Sequence, residues 1–61
     1  MSEWRNVAYQ LWHLVDAEGR ILADVMGGYH RVSARVGVFL VGDFDTPEHA
    51  MAAVDRWRRT P

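Results

Sequence analysis

The apolar run Val38-Phe39-Leu40-Val41 halts at Gly42, and a few residues later Thr46-Pro47-Glu48 opens a pattern with helical period. Thr46 brings a hydroxyl oxygen to an orphan N–H of the first turn, and Pro47 takes the first helical position, where a missing N–H costs nothing. Glu48 lies near the positive end of the helix dipole, and Arg56, Arg58 and Arg59 gather at the negative end. A helix over 47–59 follows. At about 100° per residue, Ala50, Ala53, Val54 and Trp57 share one stripe with Met51 on its flank, while Glu48, Ala52, Asp55 and Arg59 fall opposite. That stripe is expected to lie on a sheet, its alanines allowing close approach and Trp57 acting as the largest core anchor.

Upstream, residues 8–15 alternate as Tyr9, Leu11, His13, Val15 against Ala8, Gln10, Trp12, Leu14 and read as one strand. Asp16-Ala17-Glu18-Gly19 is a turn, its glycine suited to positive φ, and 20–26 returns to complete a hairpin. Gly27-Gly28 breaks the pattern before 29–35, with Tyr29, Arg31, Ser33 and Arg35 on one face and His30, Val32 and Ala34 on the other. Gly37 then permits a tight reversal into a strand over 38–42. The expected fold is α+β, a three- to four-stranded antiparallel sheet packed on one C-terminal helix. It forms a single domain over 1–61, with the first few residues and Thr60-Pro61 as frayed ends.

Size bears on function. A domain of 61 residues buries only about 60% of the surface its unfolded chain exposes. The chain has no cysteine, so neither disulfides nor thiolate metal sites add support, and an oligomer or a partner is the remaining route to burial. No apolar run approaches the roughly 18 residues of a membrane span, and Met1-Ser2-Glu3-Trp4-Arg5 does not open a signal peptide. The expectation is a cytoplasmic protein without membrane contact. The formal net charge of −1 gives no global attraction to nucleic acid, although segregated charge could still create a basic face. All seven basic residues are arginine, a bias typical of high-GC bacterial and phage genomes; a phage or mobile-element accessory protein fits it.

The strand Gly28-Tyr29-His30-Arg31-Val32-Ser33-Ala34-Arg35 and the block Leu40-Val41-Gly42-Asp43-Phe44-Asp45-Thr46-Pro47-Glu48-His49-Ala50, leading to Val54-Asp55, resemble a known family. It is the Apetala-type (ethylene-response-factor) DNA-binding domain, with the similar sheet domains at the N-termini of phage and transposon integrases. The resemblance spans Gly28 to Trp57, about half the chain. It implies three antiparallel strands backed by one helix, the open sheet face lying in the DNA major groove. Ser33 and Arg35 match groove-facing positions, and Arg31 shares their face, where arginine can hold phosphate or a guanine edge. Val38 and Leu40 depart from the pattern, standing where the family carries arginine and tryptophan, and the first strand offers Gln10 or His13 in place of arginines. Asp43, Asp45, Glu48 and Asp55 are expected at or on the helix, away from the open face.

The departure suggests a different partner. With His30, Val32, Ala34, Phe39 and Val41 under the helix, Val38, Leu40 and part of Trp12 and Leu14 remain exposed beside Tyr29, Arg31 and Arg35. Aromatic and aliphatic residues ringed by arginine have the composition of a protein interface. The reading is therefore a non-enzymatic binding module whose face comprises Trp12, Tyr29, Arg31, Ser33, Arg35, Val38 and Leu40. Its partner is another protein or a second copy in a homodimer, with sequence-recognising DNA binding as the alternative. No metal or cofactor is implied: His13, His30 and His49 lack zinc spacing, and Asp43, Asp45 and Glu48 are explained by strand-end and helix-start solvation. No catalytic group emerges, because Ser2 and Ser33 have no identifiable base and Gly27-Gly28 lacks the lysine of a phosphate loop.

Overall fold

A computed structural model describes residues 2–59 of the chain. Strands β1 (Glu3–Ala8), β2 (Leu11–Val15), β3 (Ile21–Gly27), β4 (Val32–Val36) and β5 (Phe39–Phe44) precede the helix α1 (Pro47–Arg59). The strands pair in sequence order, every neighbour antiparallel, into one five-stranded meander. The helix packs on β3, β4 and β5.

The α+β class and the helix bounds agree with the sequence reading; the strands differ. The expected strand over 8–15 is divided at Tyr9-Gln10, and the N-terminal residues expected to fray instead form β1. A local device makes this hairpin. Gln10 adopts φ 56°, and Asn6 donates from Nδ2 to the carbonyl oxygens of Ala8 (2.9 Å) and Leu11 (3.0 Å) across the turn. The expected strand over 29–35 begins only at Val32, because Gly27 N–H donates to Gln10 O (2.7 Å) and Gly28 N–H to Arg31 O (2.6 Å), drawing Tyr29 to Arg31 into a loop. The strand expected over 20–26 runs Ile21–Gly27, and that over 38–42 runs Phe39–Phe44. Thr60 and Pro61 lie outside the described residues.

The turn after β2, with Gly19 at positive φ, and the helix start lie where the sequence places them, and Asp16 adds contacts to the turn. Asp16 Oδ1 accepts from the backbone N–H groups of Glu18 and Arg20, both at 2.9 Å, and Gly19 supplies φ 82°. Gly37 turns the chain between β4 and β5 at φ 60°. Thr46 Oγ1 accepts from His49 N–H at 3.1 Å, and Thr46 O receives the first helical bond from Ala50 N–H.

Paired residues on neighbouring strands share a face, so the register sorts the sheet into rows. On the helix side, Trp4, Leu14, Ala23, Val36 and Phe39 form one apolar row across all five strands. Beside it run Asn6, Trp12, Val25, Ala34 and Gly42. The core is built here, from Leu14, Ala23, Val25, Val32 and Ala34 against Ala50 and Val54, with Met51, Phe44 and Val41 packed at its margin. Small residues on both sides, Ala34 and Ala50, let the helix settle close to the sheet. Beyond the helix, Trp4 and Trp12 fill the space over β1 and β2. The Trp4 indole N–H is buried with no hydrogen-bond partner among the described residues.

Candidate protein-interaction surface

Among the described residues, no element covers the opposite face of the sheet. Its central row reads Arg5, His13, Asp24, Arg35 and Leu40, and the next Ala8, Leu11, Met26, Ser33 and Asp43. Arg35 forms an ion pair with Asp24 at 3.4 Å, and Ser33 Oγ donates to Asp43 Oδ1 at 3.0 Å. At the β1 margin Arg5 meets Glu3 at 3.3 Å. Arg31, in the loop before β4, donates to the Asp43 carbonyl oxygen at 3.4 Å. The arginines are thus interleaved with acids.

Of the residues expected on this face, Ser33, Arg35 and Leu40 lie on it. Trp12 does not: its register partner Val25 is a core residue, so the indole covers the helix-side core. Leu14 likewise is buried, in the apolar row. Tyr29 stands on the β3–β4 loop, 91% exposed, with its ring edge-on to His30 at 4.6 Å. His30 is accordingly exposed and not beneath the helix. Val38 occupies the β4–β5 turn. Asp43, expected at the helix, lies within β5 opposite Ser33 on the open face, because β5 extends to Phe44.

The larger departure concerns Trp57. Expected as the core anchor, it remains 44% exposed, meeting Phe39 with ring centroids 6.0 Å apart and planes tilted by 37°. Phe39 and Leu40 are themselves more than half exposed, and Val38 is almost wholly so. Helical phase places Trp57 beside Val54, but the helix rests over β3 to β5 and Trp57 meets the edge strand at Phe39, itself more than half exposed, so the indole stays partly in water. Sequence periodicity finds this stripe and cannot tell where the sheet beneath it ends. Both rows of the sheet therefore finish on β5 in an uncovered apolar side chain, Phe39 on the helix side and Leu40 on the open side. With Val38 and Trp57 these form one apolar corner.

The rest of the surface is less specific. Ile21, Met26 and Val7 are exposed singly along the open face. An open concavity on the outer side of α1 is lined by Ala52, Asp55, Arg56, Arg58 and Arg59. Among the described residues no group of three histidines, aspartates or glutamates is placed to hold a metal ion, and no helix is long and apolar enough to cross a membrane. At the β2–β3 turn, the Arg20 N–H first, then the Glu18 N–H and the Arg20 guanidinium, hold the Asp16 carboxyl below its usual value against the opposing effect of desolvation.

The fold and this corner define a small α+β meander with an apolar sheet edge. Compared with protein families, with curated proteins and with solved structures, the chain matches none.

Proposed function

We propose that the chain is a non-enzymatic protein-interaction module whose contact surface centres on the β5 corner, Val38, Phe39, Leu40 and Trp57, with Arg35 at its rim. The observation that carries the reading is that the helix-side and open-face rows both end on β5 in exposed apolar side chains, Phe39 at 62% and Leu40 at 65%. An aromatic pair and two aliphatics around one edge supply the desolvated centre that protein contacts need, and the neighbouring arginine gives direction.

The alternative, duplex DNA against the open face, has Ser33, Arg35 and Arg31 in its favour. Against it, Asp24 holds Arg35, and Asp43 adds charge that phosphate repels. Phosphate contacts dominate nucleic-acid affinity, so a face of alternating sign suits a protein better.

The test compares the wild-type chain with Leu40→Glu as affinity bait. Partners captured by the wild type are expected to be lost with the variant while a far-side control, Glu18→Gln, keeps them. Identical capture by all three chains would overturn the reading. Retardation of duplex DNA at low salt that Arg35→Ala abolishes and Leu40→Glu does not would establish the alternative.

A further inference from the structure

We propose that the occupant of the β5 edge is a second copy of this chain, the two β5 strands running antiparallel about a twofold axis perpendicular to the sheet, so that two five-stranded sheets become one. The inference rests on the reading of the β5 corner as a protein contact and names its partner.

The two sheet margins are asymmetric. Edge strands left to face water are protected by charges, bulges or proline. At β1 the rows end in Trp4 and Arg5, with Glu3 beside them and a bulge between Asn6 and Ala8. At β5 the segment 38–41 carries neither charge nor proline, and the irregularity in its pairing falls after Leu40, beside Val41 and Gly42. An unprotected length of strand therefore lies between the turn and the bulge, and it is the length that bears the apolar side chains.

Geometry then selects strand addition over face-to-face packing. A partner laid on the open face would cover Leu40 and leave Phe39 and Trp57 in water. A strand added to β5 covers both sides of the edge at once, because Phe39 and Leu40 point to opposite faces. A perpendicular twofold also keeps both helices on one side of the merged sheet, so that Phe39 and Trp57 of each copy are shielded by the other. Joining β5 of one copy to β1 of the next would instead build an open chain of molecules, and the charges and bulge of β1 oppose it.

Surface area agrees. A folded monomer of this mass is expected to expose about 4,000 Å². The chain, at 7.0 kDa, exposes 4513 Å², an excess of about 500 Å² over that expectation. Standard interfaces bury roughly 800 Å² per partner, so the excess is on the scale of one small contact. Self-association also supplies the burial that a chain this short, without disulfides, lacks.

The experiment uses the intact chain. In sedimentation equilibrium from about 10 µM to about 1 mM, the mass should rise from 7.0 kDa toward twice that value. Leu40→Glu should weaken the dimer on the order of tenfold or more. Val38→Glu, at a turn position 91% exposed, provides a second variant whose folding is not in question. Because the chain has no cysteine, a single Leu40→Cys variant reports the pairing directly: near a twofold between antiparallel strands, equivalent residues approach to disulfide distance. Rapid cross-linking of Leu40→Cys on oxidation, with none for Arg5→Cys on β1, supports the proposal. A wild-type mass of 7.0 kDa at the highest concentration, or equal cross-linking at both positions, overturns it. If the chain is monomeric yet Leu40→Glu still abolishes capture of another protein, the second copy is excluded and the corner stands as a protein contact.

Discussion

At residue scale the structure turns on a few side chains that hold backbone in place. Gln10 carries positive φ without being glycine, and its side chain lies over Gly27, where an added Cβ would strike the Gln10 Oε1 and lie 2.9 Å from its Cβ. Gly27→Ala is therefore expected to destabilise the fold by about 1–3 kcal/mol. In a Gln10→Gly background, which frees that space and suits the positive φ, the same substitution should cost clearly less. Urea unfolding of the two single variants and the double measures the coupling; additive costs would show that Gln10 does not set the constraint. Asp16 adds a pH dependence. Its folded pKa is depressed by the N–H groups and guanidinium around it, so the unfolded chain binds its proton more readily. Its stabilisation is full above the unfolded value of about 3.9 and lost as pH falls through the folded value. Melting temperatures over the acidic range should therefore fall more steeply for the wild type than for Asp16→Asn; parallel curves would contradict this. Both the Asp16 turn and the Thr46 cap were legible in the sequence, since each depends on neighbours a few residues away. The Asn6 bridge and Gln10 turn were not, because nothing in Tyr9-Gln10 has the composition of a turn.

At the scale of elements, helix bounds were readable because cap, proline and charged last turn all lie within the helix itself. The inward face of α1 was equally clear at Ala50 and Val54, both fully buried. Strand bounds were less so: β1 alternates weakly, and the loop after Gly27 is set by hydrogen bonds to the β1–β2 turn, a contact distant in sequence. The placement of Trp57 depended on sheet width, which helical period does not encode. The close approach of α1 to β4 yields a direct check. Ala50→Leu would force a larger side chain against Ala34 and Val32 and should cost about 1–3 kcal/mol, read as a lower urea midpoint with an unchanged slope. Ala52→Leu, on the exposed side of the helix, should leave the midpoint nearly unchanged. Equal effects at both positions would mean that α1 is not seated through Ala50.

For the whole molecule, the question raised by chain length has a location. A meander of five strands has two edges, and the helix spans only β3 to β5, leaving Trp4 and Trp12 to cover the core over β1 and β2. At the β1 edge the helix-side and open-face rows end in Trp4 and Arg5, with Glu3 beside them, and at the β5 edge in Phe39 and Leu40. The sequence points to the open face and to Trp12; Trp12 covers the helix-side core, Leu40 lies on the open face where that face ends on β5, and Val38 sits in the adjoining turn, close to Phe39 and its neighbour Trp57. That juxtaposition was hidden because it unites a turn, two opposite faces of one strand and the far end of the helix. If β5 is where a second copy pairs, its amides must change hydrogen-bond partners when the copies meet. Amide hydrogen exchange of the segment 38–41, followed from about 10 µM to about 1 mM, tests this most directly. The expected result is protection that grows with concentration at 38–41 and stays constant along β1; exchange at 38–41 that does not respond to concentration, or protection that grows on β1 instead, would contradict the account.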